Sequence, residues 1–328
     1  MTTTTPKRPP TPRAGGTPRP GRTPRADKLP KRVTIASRDN RAGLWMVMPT
    51  TIIVVAIVIV PVIWNLVMAF QKASFIDIAD NGLLNPLTLQ NFADVFTDRS
   101  FWASLWTTVV FSVLSTAGSI ALGLVAALAF RSAFPGRGLA RSLMLLPYVA
   151  PVVAVTFVWQ IMLNPQFGIL NWVGVNVFGW EHPIDFLGRA PYALATVIVF
   201  EIWRYFPFAF MFVTARLTAL PGDIEEAALV DGVTALQNFR LVVLPQLMPV
   251  LSLLAVLRLI MTFNKFDDIY LLTGGAAGTE VSAVRVYDQL MGSFDIGGAA
   301  ANAFVLSAIL AVSLFVYMKF FAGREEED

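Results

Sequence analysis

Three observations predict an all-α integral membrane protein, a bundle of six transmembrane helices. Of the 328 residues, 55% are hydrophobic and only 14% charged, whereas soluble domains carry about 25% charged residues. Six apolar runs are each long enough to cross about 30 Å of hydrocarbon at about 1.5 Å per helical residue. They cover residues 44–70, 102–130, 142–163, 191–215, 241–263 and 299–321. Pro61, Pro147, Pro151, Pro207, Pro245 and Pro249 lie within or at the ends of these runs. Bundled membrane helices tolerate such prolines because neighbouring helices satisfy the freed carbonyls.

Ahead of the first run, residues 1–43 are rich in Pro, Thr, Arg and Gly and carry eleven Lys/Arg against Asp27 and Asp39. With almost nothing apolar to bury before Leu29, this tail is expected to be disordered. Its charge reads as a topology signal that holds the N-terminus in the cytoplasm and touches anionic lipid, rather than as a nucleic-acid arm. The 44–70 run is far longer than a signal-peptide core of about 7–15 residues, so it reads as an uncleaved span. The expected domain plan is a basic cytoplasmic tail over 1–43, a permeation domain over 44–323 and an acidic cytoplasmic end over 324–328.

An even number of spans puts both termini in the cytoplasm. The 131–141 loop agrees, with Arg131, Arg137 and Arg141 and no acid. The 71–101 loop sets Lys72 and Arg99 against Asp77, Asp80, Asp94 and Asp98, which suits the outside, as do the net acidic 164–190 and 264–298 loops. The acidic 216–240 loop falls on the cytoplasmic side, which is consistent because the rule counts Lys and Arg rather than acids.

Three ionisable residues interrupt the spans: Glu201, Arg204 and Arg258. At a helix centre each costs about 2.5–3.5 kcal/mol and therefore needs a partner or a watery cavity. Glu201, Arg204, Tyr205 and Phe208 fall on one face of the fourth span, and Arg258, Thr262 and Lys265 on one face of the fifth. Two readings stay open for these stripes. They can lock the helices together through a Glu–Arg pair, or line a hydrated pathway for a hydroxyl-rich solute.

A polar island lies between those two spans. Asp223 with Glu226 three residues later reads as a helix cap and its capping-box partner, so a short helix is expected from about Ile224. Gly232 should break it, and helix should resume towards Leu244. The bilayer gives such an element nothing to do, so a partner outside the membrane is expected to grip it.

Composition also excludes chemistry. There is no cysteine and a single histidine, His182, so disulfides, thiol nucleophiles and Cys/His metal sites are excluded and a histidine-centred triad is not expected. No Gly-Lys pair occurs, so a Walker-type phosphate loop is absent and any ATP must bind another chain. No catalytic residue, metal ligand or cofactor site is assigned.

The residues Glu226-Ala227-Ala228, then Gly232, then Val242-x-Leu244-Pro245 resemble the EAA loop of ABC-importer permeases, with Val242 where that family usually has Ile. Further stretches resemble its sugar-importing, maltose-type branch, and in particular the first of two non-identical permeases. These are Leu145-Leu146-Pro147-Tyr148, Asn164-Pro165-x-Phe167-Gly168, Trp203-Arg204-x-x-Pro207-Phe208 and Phe266-Asp267-Asp268-Ile269-Tyr270-Leu271-Leu272-Thr273-Gly274-Gly275. The family's usual Gly-Pro after those glycines is here Ala276-Ala277. The resemblance covers about residues 44–321.

What the resemblance implies is a type I ABC-importer permease fold with a cytoplasmic coupling helix, in the cell membrane. The implied partners are a second permease, two ATPase subunits holding ATP and magnesium, an external sugar-binding protein and a carbohydrate substrate. Asp223, Glu225, Glu226, Ala227, Ala228, Asp231, Gly232, Leu244 and Pro245 would then couple to the ATPase. Glu201, Arg204, Tyr205, Phe208, Arg258, Thr262 and Lys265 would border the substrate pathway by alternating access. The alternatives are an ion-coupled carrier with Glu201 as proton site, and an ABC permease for a solute other than sugar.

Overall fold

A computed structural model describes residues 35–221 and 232–320. Residues 1–58 and 59–328 form two units. In the first unit, helix α1 covers Ile35–Val54.

The second unit contains α2 (Val60–Ala69), α3 (Phe75–Asn81), α4 (Gln90–Thr97), α5 (Arg99–Ala129), α6 (Arg137–Val149), α7 (Val152–Leu163), α8 (Ile169–Asn176) and α9 (Tyr192–Ala219). After the undescribed stretch come α10 (Ala235–Asn238), α11 (Leu244–Phe263), α12 (Asp267–Thr273), α13 (Ser282–Met291) and α14 (Ile296–Phe320). Among the described residues, five helical stretches are long and apolar enough to span a membrane, and a bent pair makes a sixth if its two helices count as one span.

That bent pair corrects the expected third span. Residues 142–163 are not one straight helix: α6 and α7 meet at 94°. Pro147 and Pro151 are the cause. Each removes an N–H donor, and a proline disfavours helical geometry in the residue before it. Ala150 accordingly sits at φ −64°, ψ 142°, in extended backbone, and ends α6. The sequence marked these prolines as tolerable kinks, but two of them four residues apart break the span.

The most extensive helix contact joins α5 to α9. On α5, Ser104, Thr108, Ser112, Ser115 and Ser119 are all buried, at spacings of three and four that place them on one face. Small side chains allow close approach in a membrane, where lipid is as apolar as any core residue and contact area must come from packing. Gly123 shows how close: a β-carbon there would stand 2.6 Å from Ala209 Cβ and 2.8 Å from the Phe210 nitrogen. Around this contact, Ala126, Phe206, Phe210, Val213, Leu247 and Leu254 form one apolar cluster, and Phe111, Val155, Val197, Phe200, Ile269 and Val284 another.

Of the polar island, Asp223, Glu225, Glu226, Ala227, Ala228 and Asp231 lie outside the described residues, as does the expected helix start near Ile224. Beyond Gly232, helix resumes at Ala235 and runs on through Leu244, as expected. Thr234 caps it, accepting from the Gln237 nitrogen while the Gln237 side chain accepts from the Thr234 nitrogen at 2.8 Å. A π-helical turn over Phe239–Val243 then leads into α11. Pro245, second in α11, has no N–H to return to the preceding turn, which favours that wider turn.

Candidate functional site

The two polar stripes meet. Glu201 on α9 is fully buried, Arg258 on α11 is 1% exposed, and Arg258 Nη2 donates to Glu201 Oε1 at 3.0 Å. Two long helices are thereby joined by an ion pair shielded from solvent. Such a pair has offset its desolvation only if each partner stays in place.

Tyr205, one turn beyond Glu201, is the hub of the remaining cations. The Arg258 guanidinium lies 4.3 Å from its ring centroid, Lys265 Nζ 4.8 Å and the Arg204 guanidinium 5.7 Å. Lys265 Nζ also donates to the Tyr205 hydroxyl at 2.5 Å. A ring quadrupole attracts cations over its face, more strongly where water is excluded. Clustered positive charge is thus held by an uncharged group as well as by acids.

The acids come partly from a residue that the stripe analysis left out. Asp268, fully buried at the start of α12, lies 3.1 Å from Lys265 Nζ and 3.7 Å from Arg204 Nε. Asp267, half exposed, lies 2.9 Å from Lys265. Asp268 is in the sequence only as part of a longer motif, just beyond the fifth span. Its role depends on α12 folding back beside α9, which no helical periodicity encodes. Glu201, Asp267 and Asp268 face Arg204, Arg258 and Lys265, so the cluster is formally neutral.

Arg204 does a second job. Its Nη2 donates to the Ala150 carbonyl at 3.2 Å, at the break between α6 and α7. The last carbonyls of a helix carry partial negative charge and lack helical partners, so a guanidinium there caps the half-helix. On the other side of the break, Gln160 Nε2 donates to the Leu271 carbonyl at 2.7 Å and ties α7 to α12. The bent span is fastened to two of the three helices of the charge cluster, α9 and α12.

Not every predicted residue joins the cluster. Phe208 packs against the Tyr148 ring at 6.0 Å and Phe212 at 4.9 Å, and Tyr148 meets Tyr205 at 5.8 Å. This half-buried aromatic wall adds Tyr148, from α6, to the site. Thr262 is buried beside the cluster, and its hydroxyl has no protein hydrogen-bond partner among the described residues. The same holds for Arg204 Nη1 and Arg258 Nε. The site therefore keeps hydrogen-bonding capacity that its own ion pairs leave unused, which buried polar groups seldom do.

From the polar island, Gly232 adopts φ +78°, and among the described residues nothing lies within 4 Å of the position a β-carbon would take. The left-handed backbone, rather than crowding, is what glycine supplies there. Among the described residues no group of acidic or histidine side chains is arranged to hold a metal ion.

Residues 119–324 match the model of the family described as binding-protein-dependent transport system inner membrane component. The chain belongs to that family. This permease is 34% identical over 288 residues to the inner membrane ABC transporter permease protein YcjO of Escherichia coli K12, covering 86% of this chain and 94% of the relative. It is 31% identical over 295 residues to the trehalose/maltose transport system permease protein MalF of Thermococcus litoralis, covering 89% and 96%. A chain in the crystal structure of a bacterial alginate ABC transporter, in complex with an alginate pentasaccharide-bound periplasmic protein, superposes with a TM-score of 0.75 at 19% identity. That match covers 88% of this permease and 98% of the other chain, and shows the shared importer-permease fold.

Proposed function

We infer that this permease forms half of the translocation pathway of an ATP-driven carbohydrate importer. The likeness to a trehalose/maltose permease over nearly the whole of both chains carries the reading. The site supports it: a neutral cluster with unused donors and acceptors beside an aromatic wall suits a hydroxyl-rich solute better than an ion. A second, different permease completes the pathway, two ATPase subunits hold ATP and magnesium, and an external binding protein delivers the sugar. Both termini lie in the cytoplasm.

Within that assembly, residues 223–245 transmit ATPase closure to the bundle. Gly232 supplies a left-handed turn ahead of α10, and α10 continues through the π-helical turn into α11, which carries Arg258 and Thr262. A displacement of the loop thus reaches the charge cluster along one helical path. Glu201, Arg204 and Arg258 act chiefly as the lock between helices, and Tyr148, Tyr205, Phe208, Thr262 and Lys265 border the solute.

The test is uptake of labelled trehalose and maltose by cells with and without the partner ATPase. Uptake that vanishes with the ATPase is expected, whereas persistence would establish an ion-coupled carrier. Glu226→Lys and Gly232→Pro should each leave the permease in the membrane and abolish transport. Normal uptake with receptor-stimulated ATP hydrolysis in both variants would overturn the coupling assignment.

A further inference from the structure

Immediately beyond Lys265 the chain turns out of α11 and builds a second aromatic cluster, separate from the Tyr148–Tyr205–Phe208 wall. Phe266 stacks on Tyr270 with centroids 4.9 Å apart and planes 22° apart. Tyr287, arriving from α13, closes the group at 4.8 Å from Phe266 and 4.9 Å from Tyr270. The sequence explains the pairing within α12: Phe266 and Tyr270 are four apart and share a helix face. The opposite face, Asp268, Ile269 and Leu272, is buried. Tyr270 stays 37% exposed, and Phe266 and Tyr287 are half-buried.

Three features separate this cluster from ordinary core. Its rings pack on one another while Tyr270 stays partly exposed. Polar groups rim it: Asp267 is half exposed and tied to Lys265, and Asp288 is exposed beside Tyr287. The phenol of Tyr270 is pushed above its ordinary value, first by its hydrogen bond with Tyr287, and by the nearby Asp288 among the smaller causes. Tyr270 therefore keeps its proton and can exchange hydrogen bonds.

We propose that Phe266, Tyr270 and Tyr287 form a carbohydrate-stacking platform at the entrance to the pathway, taking a pyranose ring before it reaches the charge cluster. A pyranose presents a face of C–H bonds that packs on an aromatic ring, and a rim of hydroxyls that needs polar neighbours. Tyr270 supplies the first, and Asp267, Lys265 and the two phenols the second. Continuity with the pathway fixes the placement, because Phe266 directly follows Lys265, which touches Tyr205. The proposal rests on the carbohydrate reading above and adds a subsite and the residues that define it.

The experiment uses the complete transporter in cells, with labelled trehalose and maltose as probes, comparing Tyr270→Leu, Tyr287→Leu and Tyr270→Phe. Losing a stacking ring should raise KM by about tenfold with maximal rate little changed, and Tyr270→Phe should restore it. A purely structural role would lower membrane abundance and maximal rate instead. As a second reading, Tyr270→Cys gives a single thiol, since the chain has no cysteine of its own. The transported sugar should slow its modification by an impermeant thiol reagent and leave Val312→Cys, on α14, unaffected. Unchanged KM in both leucine variants, or no protection at position 270 in a transporter that still takes up sugar, overturns the platform and leaves the trio as an interfacial lipid anchor. If the unaltered transporter takes up neither sugar, the carbohydrate reading itself falls.

Discussion

Glu201 and Arg258 stand 57 residues apart in sequence and 3.0 Å apart in space, and neither reaches solvent. Removing one partner leaves an uncompensated buried charge, at a cost of about 3–5 kcal/mol. Glu201→Leu and Arg258→Met are each expected to lower the thermal midpoint in detergent. The double variant should recover most of that stability, because an apolar pair of similar volume needs no desolvation. Additive losses in the double variant would show that the pair is not the lock.

Arg204 connects the break in the third span to Asp268, and its planar fork serves both at once. Lysine can reach one of them but cannot present the same geometry. Arg204→Lys should therefore reduce uptake by about tenfold while the protein remains folded, measured as initial rate per inserted permease. Uptake at the unaltered rate would remove Arg204 from the positioning role.

At Gly123 the contact is with backbone and a methyl group, neither of which can swing aside. Gly123→Leu should destabilise the α5–α9 pair by about 1–3 kcal/mol, read as reduced thermal stability and reduced membrane yield. Gly118→Ala offers the contrast. Its new β-carbon would meet the Ile202 side chain, whose far end can move, so a smaller loss is expected.

Gly232 differs from both, since none of the described residues crowds it and its positive φ is what matters. Gly232→Asn should be tolerated, while Gly232→Val should cost about 1–2 kcal/mol locally. The expected signature is impaired uptake at normal membrane abundance, because the strain falls on the loop and not on the bundle. Equal activity in the two variants would count against a fixed left-handed turn.

Outside the membrane, Asp98 begins α5 and pairs with Arg285 on α13. Hydrogen bonds from Ser100, side chain then backbone, hold the Asp98 carboxyl below its ordinary value, and Arg285 adds to this. A carboxyl lowered in the folded state contributes stability at pH above its unfolded value, and loses it as pH falls through the folded one. Acidification below the usual carboxylate range should therefore loosen the α5–α13 junction. Asp98→Asn should flatten that part of the stability–pH curve, followed by thermal unfolding at several pH values.

Much of this was legible in the chain. Apolar runs of about twenty residues have few physical options, so the helices and their order follow from hydropathy. The stripes on α9 and α11 were visible because helical spacing projects Glu201 and Tyr205, or Arg258 and Thr262, onto one face. Asp268, Gln160 and Tyr148 escaped that logic. Each acts across a turn or between helices, and local periodicity has no term for which helix comes next to which. The break at Ala150 was half visible: the prolines marked the place, while the 94° angle and the contacts of Arg204 and Gln160 on either side of it belong to the tertiary structure.

By itself, the sequence determined that this is a helical membrane permease with charged residues it could not leave unpaired, because burying an isolated charge in hydrocarbon is prohibitive. Only the tertiary structure decided the partners. Pairing energy depends on distance and exclusion of water, and both are set where α9, α11 and α12 converge around Tyr205.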